Sequence, residues 1–329
     1  MGRFRPHDFL RLCRGKKVLL LGHENADLDA AASCAIFQSF LESKRISSVI
    51  AFPSHLNEQA LRFLSSERIP YVLMPDLLGF DLIFLFDFNG FEQLGKLRRD
   101  FEQFSSDGRF SVFVFDHHVL EEKSIANGDN AFIDESCVST TQVLADLLGD
   151  FFSNQMHFWN CLGIVEDTGH FLVGNNGSFA SFAKSLALSK RSFSDVLFFT
   201  KHSFDFGERI AFLKAAQRAQ IVKSSKAIIV FSKVSFFQGA TATKLLNLGA
   251  DITLVAGAER KNDLTILSAR AETNFKEVNN FNLVRDLMVE LQKQIGGDIG
   301  GHSGAAQWKG SVAPEKILKI AVGILKKKF

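Results

Sequence analysis

Short continuous apolar runs, separated by segments with helical periodicity, organise the first half of the chain. Four of these runs predict β-strands, at Val18–Leu21, Ser48–Phe52, Leu82–Phe86 and 111–115. The segments between them predict helices at 29–43, 57–65 and 91–104. Strands that are apolar throughout are typical of a parallel sheet whose two faces are both covered by helices. We therefore expect an α/β fold whose chemistry lies at the carboxyl ends of the strands.

The second half of the chain continues with helices and then restarts the α/β pattern. Helical patterns cover 140–148 and 156–165, and a more charged helical stretch covers 178–224. Beyond residue 226 there are β-like runs at 227–231, 252–256 and 264–268, helices at 241–248 and 282–294, and a glycine-rich stretch at 296–306. We predict two domains, at 1–190 and 225–329, joined by a helical connector at 191–224.

Length and composition support a globular protein of two domains. The chain has 329 residues, whereas one domain usually has about 100 to 200. No apolar run approaches the roughly 20 residues of a membrane span, and the N-terminus lacks the apolar core of a signal peptide, so we expect a cytoplasmic protein without membrane contact. The net charge of +2 neither requires nor excludes a polyanionic partner. The four cysteines form no CxxC pair and are predicted to be buried, reduced thiols.

The most informative local segment follows the first predicted strand. It reads Gly22-His23-Glu24-Asn25-Ala26-Asp27-Leu28-Asp29 and precedes a helix rich in small residues. His23 offers an imidazole nitrogen, and Asp27 and Asp29 offer hard oxygen ligands two residues apart. By itself this segment has a second interpretation, in which the aspartates cap the following helix and His23 makes a hydrogen bond within the loop.

Two further apolar strands end in an aspartate. They lead into Asp87 and Asp116, and Asp116 is followed directly by His117 and His118. A carboxylate that closes a hydrophobic strand is costly to desolvate unless a cation or a hydrogen-bond donor compensates it. Asp167 comes after a buried helical pattern and just before a glycine turn. Each aspartate alone suits a turn or a helix cap, but together they predict one acidic site at the ends of parallel strands.

This combination of side chains predicts a centre for two divalent cations. Mixed histidine and aspartate ligands suit Mn²⁺, Mg²⁺, Fe²⁺ or Zn²⁺, and the absence of cysteine argues against a structural zinc site. Two ions about 3.5 to 4 Å apart can activate water and stabilise both oxygens of an in-line displacement at phosphorus. We therefore predict phosphoester hydrolysis. The candidate ligands are His23, Asp27, Asp29, Asp87, His117 and Asp167.

The order of these motifs resembles the DHH phosphoesterase family, which is named for the triplet present here as Asp116-His117-His118. The resemblance implies that His23, Asp27 and Asp87 hold one ion and that Asp29, Asp87, His117 and Asp167 hold the other, with Asp87 as the bridge. It also implies that Asp116 orients its neighbours and that His118 faces the scissile phosphate. Ala26, Leu28 and Phe88 depart from the usual residues of the family motifs, and none of these changes removes a ligand.

The resemblance extends to the second domain. Its glycine-rich stretch is similar to the signature of a DHH-associated substrate-binding domain, and Arg270 resembles the arginine with which that domain holds a phosphate. Taken alone, the stretch suits an ordinary turn and Arg270 an exposed strand end. The implied fold is a parallel-sheet catalytic domain with a smaller α/β substrate-binding domain and an active site in the cleft between them. The implied substrate-binding residues are Arg270, Gly300, Gly301, His302, Ser303 and Gly304.

The two-domain length is similar to the nanoRNase/pAp-phosphatase (NrnA-like) branch of the family. That branch implies hydrolysis of nanoRNA, linear dinucleotides or 3′,5′-bisphosphorylated adenosine, with two divalent cations, most simply Mn²⁺. Three alternatives remain at this point: a RecJ-like exonuclease for longer single strands, an inorganic pyrophosphatase, and a non-catalytic nucleic-acid-binding subunit. The sequence leaves open whether the chain is a monomer or a homodimer.

Overall fold

The computed structural model describes residues 4–126, 128–201, 204–259 and 264–329. Its contacts divide the chain into two compact units, Met1–His202 and Ser203–Phe329. The predicted connector at 191–224 is shared between them, because its first helix belongs to the first unit and the rest to the second. Among the described helices, none combines the length and apolarity that a bilayer span requires.

The first unit contains a six-stranded sheet in which every neighbouring pair is parallel, with the order β3-β2-β1-β4-β5-β6. The strands are β1 (Val18–Leu21), β2 (Ser48–Phe52), β3 (Val72–Leu73), β4 (Leu82–Phe86), β5 (Ser111–Asp116) and β6 (Ala131–Ile133). The helices are α1 (Pro6–Cys13), α2 (Leu28–Glu42), α3 (Glu58–Ser66), α4 (Arg98–Ser106), α5 (Thr140–Leu148), α6 (Asn154–Asp167), α7 (Asn176–Ser189) and α8 (Phe193–Thr200).

Hydrophobic packing on both faces explains why these strands are apolar throughout. All residues of β1 and β4 are buried, and two separate clusters of apolar side chains lie on the two faces of the sheet. Phenylalanines fill much of one face, where Phe37 lies 4.8 Å from Phe84 and Phe115 lies 5.0 Å from Phe132, measured between ring centroids. Burying such a side chain stabilises the fold by about 1.5–3 kcal/mol. The chain contains 35 phenylalanines, and this packing accounts for part of them. The strand order places β1, β4 and β5 side by side.

The second unit contains a mixed six-stranded sheet with the order β11-β12-β10-β9-β8-β7, in which only β8 and β9 run parallel. The strands are β7 (Gln220–Lys223), β8 (Ile228–Lys233), β9 (Ile252–Glu259), β10 (Leu264–Ala271), β11 (Asp298–Gly301) and β12 (Ala305–Gly310). The helices are α9 (Phe206–Arg218), α10 (Gln238–Leu246), α11 (Thr273–Val278), α12 (Val289–Ile295) and α13 (Pro314–Lys328). The predicted two-domain α/β class is thus confirmed.

The structure corrects two of the predicted elements. The helix expected at 91–104 is a 3-10 helix, Phe91–Leu97, that turns into α4 at Gly95, where φ is +52°. The positive φ favours glycine at this position, and a Cβ there would also displace the Glu24 carboxylate. The stretch expected to be helical at 178–224 ends in strand β7, because Gln220–Lys223 pairs antiparallel with β8. Short pairing partners of this kind carry little periodicity of their own.

Candidate metal centre

The carboxyl ends of three neighbouring strands bring the predicted site residues together. The 22–29 segment follows β1, Asp87 follows β4, and Asp116 ends β5. Because β1, β4 and β5 are adjacent and parallel, their ends meet at one edge of the sheet. Helix α6 contributes its last residue, Asp167, to the same place.

Asp87 lies at the centre of this cluster. Its backbone is held in the left-handed region, with φ at +70°, and its N–H donates to Phe115 O at 2.9 Å. An aspartate in this conformation costs free energy that the surrounding structure must offset, and such strain is concentrated at functional sites. Oδ2 lies 3.6 Å from His23 Nε2, and Oδ1 lies 3.5 Å from His117 Nε2. The two oxygens of one carboxylate therefore face two different imidazoles.

The ligand atoms around Asp87 form three overlapping groups: one joins Asp87 and His117 to the exposed His118, and the other two contain the predicted ligands. Within each group, one nitrogen or carboxylate oxygen per residue lies within 4.8 Å of the others. We call His23 and Asp27 the open half, since the Asp27 side chain is 32% exposed. We call Asp29, His117 and Asp167 the buried half, since Asp29 is fully buried and the facing atoms of His117 and Asp167 are inaccessible. Both halves with Asp87 form what we call the metal cage, and its two groups are the two ligand sets that the resemblance implied.

Two atoms of the buried half test whether a cation fits. His117 Nε2 and Asp167 Oδ2 are buried and 3.1 Å apart, yet neither has a hydrogen bond of acceptable geometry within the described part of the chain. Buried polar atoms without partners are costly, and a bound cation satisfies both a nitrogen and an oxygen lone pair. In the open half, His23 Nδ1 donates to Glu24 O at 2.8 Å, which leaves Nε2 as the free ligand atom. The residues present therefore fit divalent cations.

The pKa values of the cage residues also indicate a site for cations. Burial, followed by the charges of Asp167 and Asp87, raises the pKa of Asp29 well above its usual value, and burial raises the pKa of Asp167 to about 7. Burial lowers the pKa of His23 and His117, but the carboxylates of the neighbouring aspartates outweigh it and raise both to about 11. Without a cation, the cage thus retains protons to offset its crowded carboxylates. A bound cation would replace those protons.

Asp116 and His118 form a separate pair at the mouth of the site. Asp116 Oδ1 accepts hydrogen bonds from His118 Nδ1 at 2.8 Å and from the backbone N–H groups of His117 and His118. His118 is about half exposed, and its hydrogen bond with Asp116 raises its pKa. Because Nδ1 is engaged, Nε2 is the ring nitrogen available to a substrate.

Asn89, which no sequence pattern indicated, holds this pair in place. Asn89 Nδ2 donates to Asp116 Oδ2 at 2.7 Å and to Val119 O at 3.2 Å, and its Oδ1 accepts from Glu121 N at 3.0 Å. The side chain is buried and ties the loop after the triplet to the loop after β4. Its position two residues after Asp87 was the available signal.

The sequence analysis also missed the residues that support the buried half. Asp29 Oδ2 accepts from the backbone N–H of Thr140 at 2.6 Å, and Oδ1 accepts from that of Thr141 at 3.2 Å. These are the first two N–H groups of α5, which have no partner within the helix and favour a negative charge. A Cβ at Gly163 of α6 would collide with the Asp29 carboxylate and the Thr141 side chain. Glycine is thus required for α6 to approach closely enough to present Asp167.

In the second unit, the glycine-rich stretch forms strand β11 and a tight turn into β12. Gly301 has φ at +124°, and a Cβ there would collide with the backbone of Ala305. The N–H of His302 donates to Ala305 O at 2.8 Å and that of Gly304 to His302 Nδ1 at 3.3 Å. These two amides are thus already engaged within the turn. The hydrogen bond to Nδ1 assigns the proton of neutral His302 to Nε2, at an exposed position.

Cationic side chains lie close to this turn. Arg270 is half-buried in β10 and pairs in register with Ala305 of β12. Burial lowers the pKa of Arg270, although an arginine remains charged. Lys276, which no sequence pattern indicated, lies beside Gly304. Its ammonium group is 2.7 Å from the position that a Cβ of residue 304 would occupy. Lys276 thus lies at the turn itself, whereas the Arg270 guanidinium lies beside Gly239 of α10 and donates to Ala269 O at 2.9 Å.

Comparison with known proteins supports the family resemblance and the fold. Residues 17–164 match the family described as "DHH family, N-terminal domain". An uncharacterized protein of Methanocaldococcus jannaschii, MJ0988, is 28% identical over 98% of this chain and 97% of its own length. The crystal structure of an exopolyphosphatase-related protein from Bacteroides fragilis superimposes with a TM-score of 0.64 at 14% identity, covering 98% of this chain and 95% of that one. At this identity the structural likeness shows the fold alone.

Proposed function

We propose that this chain, which belongs to the DHH family, is a two-metal phosphoesterase acting on short oligonucleotides or on 3′,5′-bisphosphorylated adenosine. Members of the family are metal-dependent phosphoesterases. The finer part of the proposal concerns the ligands, the metal and the substrate. Its ligands are the six residues of the metal cage, its metal is Mn²⁺, and its substrates are nucleotides with at least two phosphates or phosphodiesters.

The observation that carries the proposal is the position of Asp87. One oxygen of its carboxylate faces the open half and the other faces the buried half, at 3.6 and 3.5 Å from the two imidazoles. A single carboxylate between two ligand sets is the arrangement expected of a bridge between two cations. A helix cap or a loop hydrogen bond, the simpler interpretations of these residues, would need only one of the two oxygens.

The cage residues and the pair at its mouth have different tasks in hydrolysis. Two divalent cations, when bound, supply an activated water and neutralise charge on the phosphate. His118 presents Nε2 to the substrate and can donate a hydrogen bond or a proton to a phosphate oxygen. Asp116 fixes the His118 ring through Nδ1 and favours its protonated form.

The second unit gives the proposal its substrate class. Arg270, His302 and Lys276 of this unit are the donors that we propose for a phosphate of the substrate. Substrates with more than one phosphate, such as a dinucleotide or bisphosphorylated adenosine, suit this proposal. The NrnA-like branch remains our proposal for the subfamily.

A substrate panel tests the function directly. The metal-free full-length chain, reloaded with Mn²⁺, would be given a ladder of short RNAs, 3′,5′-bisphosphorylated adenosine, pyrophosphate and a long single strand, with Asp87→Ala as the control. We expect the short RNAs or bisphosphorylated adenosine to be hydrolysed fastest. Faster turnover of pyrophosphate or of the long strand would overturn the substrate class. Binding of nucleic acid without turnover of any substrate would identify a non-catalytic subunit.

A further inference from the structure

The first residue of α5 links the two carboxylates that serve the buried half. Thr140 is fully buried. Its backbone N–H donates to Asp29 Oδ2 at 2.6 Å, and its hydroxyl donates to Asp87 Oδ1 at 2.9 Å. These contacts span 111 and 53 positions of the sequence. One residue thus contacts both a ligand of the buried half and the carboxylate shared by the two halves.

The direction of the hydroxyl bond determines what it can do. An ionised carboxylate only accepts hydrogen bonds, so the Thr140 hydroxyl must be the donor. Donation to Oδ1 fixes the rotation of the Asp87 carboxylate about its last side-chain bond and thereby directs Oδ2 toward His23. Oδ1 keeps a second lone pair for the side of His117. The backbone of Asp87 is fixed independently, by its own N–H bond to Phe115 O.

We propose that Thr140 is a positioning residue that sets the orientation of the Asp87 carboxylate and so maintains the affinity of both halves of the cage for metal. The inference rests on the proposed function, because it presumes that the cage binds two cations. Thr140 is not one of the six residues of the metal cage. Residues that only orient a metal ligand typically contribute about 10- to 100-fold in metal affinity or activity.

Two substitutions separate the hydroxyl from the rest of the side chain. Thr140→Val keeps the branched shape and the backbone N–H to Asp29 but removes the donor, whereas Thr140→Ser keeps the donor. Thr253→Val is a matched control, because Thr253 is equally buried and its hydroxyl donates to Ala242 O at 2.8 Å in the second unit. Thr140→Ala replaces the valine variant if the methyl group facing Asp87 prevents folding.

The readout is calorimetric titration of the metal-free full-length proteins with Mn²⁺, with thermal unfolding of the metal-free forms as the check on folding. We expect Thr140→Val to weaken Mn²⁺ binding by about 10-fold or more, and Thr140→Ser and Thr253→Val to bind as the wild type does. Wild-type affinity in Thr140→Val, or equal weakening in Thr140→Ser, would overturn the role of the hydroxyl while leaving the proposed function intact. Absence of Mn²⁺ binding by the wild type would overturn both.

Discussion

The open and buried halves of the metal cage are constructed in different ways. In the open half, His23 and Asp27 come from one loop, their hydrogen bonds are local, and Asp27 also caps α2 by accepting from Ala30 N at 3.1 Å. In the buried half, Asp29 is held by α5 through residues more than 100 positions away, and α6 reaches it only because Gly163 has no side chain. A short motif therefore specifies one half, and tertiary packing specifies the other.

Removing Asp87, which the two halves share, should affect both halves of the metal cage. Asp87→Ala takes one ligand from each half, so we expect metal binding at both to fail and turnover to fall by more than the roughly 100-fold typical of losing a residue that only orients a ligand. Metal content and the rate of phosphoester hydrolysis measure this together. Near-normal hydrolysis by this variant would contradict the assignment of Asp87.

A substitution in α6 should affect the buried half alone. In Gly163→Ala the added methyl group meets the Asp29 carboxylate and Thr141, and such overpacking costs about 1–3 kcal/mol. We expect a lower free energy of unfolding in the metal-free protein, measured with denaturant, together with weaker Mn²⁺ binding.

Gly323→Ala is the control for that experiment. Gly323 lies within α13, and no other atom lies near the position that a Cβ would occupy there. Alanine at this position should stabilise the protein by about 0.5–1 kcal/mol. Equal stability effects of the two variants would show that the close approach of α6 to Asp29 is unimportant.

A third substitution spares both halves and acts on the pair at the mouth. Asn89→Ala removes the donor to Asp116 Oδ2 and releases the loop at Val119. We expect kcat to fall roughly tenfold while the Mn²⁺ affinity stays near that of the wild type, because His118 loses its fixed orientation. A parallel loss of metal affinity would place Asn89 in the support of the cage instead.

The pH dependence of metal binding distinguishes the halves through Asp167. His23 and His117, one in each half, both have pKa values raised to about 11, whereas the pKa of Asp167 in the buried half is raised to about 7, so the metal-free cage holds protons that the cation must displace. Affinity for Mn²⁺ should therefore rise with pH, by up to tenfold per unit for each proton released, between about pH 6 and pH 8. Calorimetry in buffers of different ionisation enthalpy counts those protons, and a pH-independent affinity would contradict the protonated state.

The sequence predicted the cage but not its supports. His23, Asp27 and Asp29 were recognisable because they share one short segment, and Asp87 and Asp116 because each closes an apolar strand. Thr140 and Gly163 could not be recognised, since a threonine at the start of a helix and a glycine within one have many ordinary explanations. Their roles come from contacts across 50 to more than 100 positions of the sequence, as the separations of Asp87 and Asp29 from Thr140 show.

The strands of the fold also differ in how well the sequence predicted them. Long apolar strands such as Leu82–Phe86 were located correctly, because burial on both faces leaves a continuous apolar run. Short strands at the edges of the second sheet were missed: β7 was predicted as helix, and β11 was predicted as part of a glycine-rich stretch. Their conformation depends on the neighbouring strand, as the pairing of Gly301 with Ala306 illustrates, and no local pattern records that neighbour.

Electron paramagnetic resonance of the metal-free chain titrated with Mn²⁺ tests the central claim most directly. If one carboxylate bridges two cations, two equivalents of Mn²⁺ should bind and give the spectrum of a magnetically coupled pair, and Asp87→Ala should lose that coupling. Two uncoupled ions, a single equivalent, or coupling that survives in Asp87→Ala would contradict the shared cage.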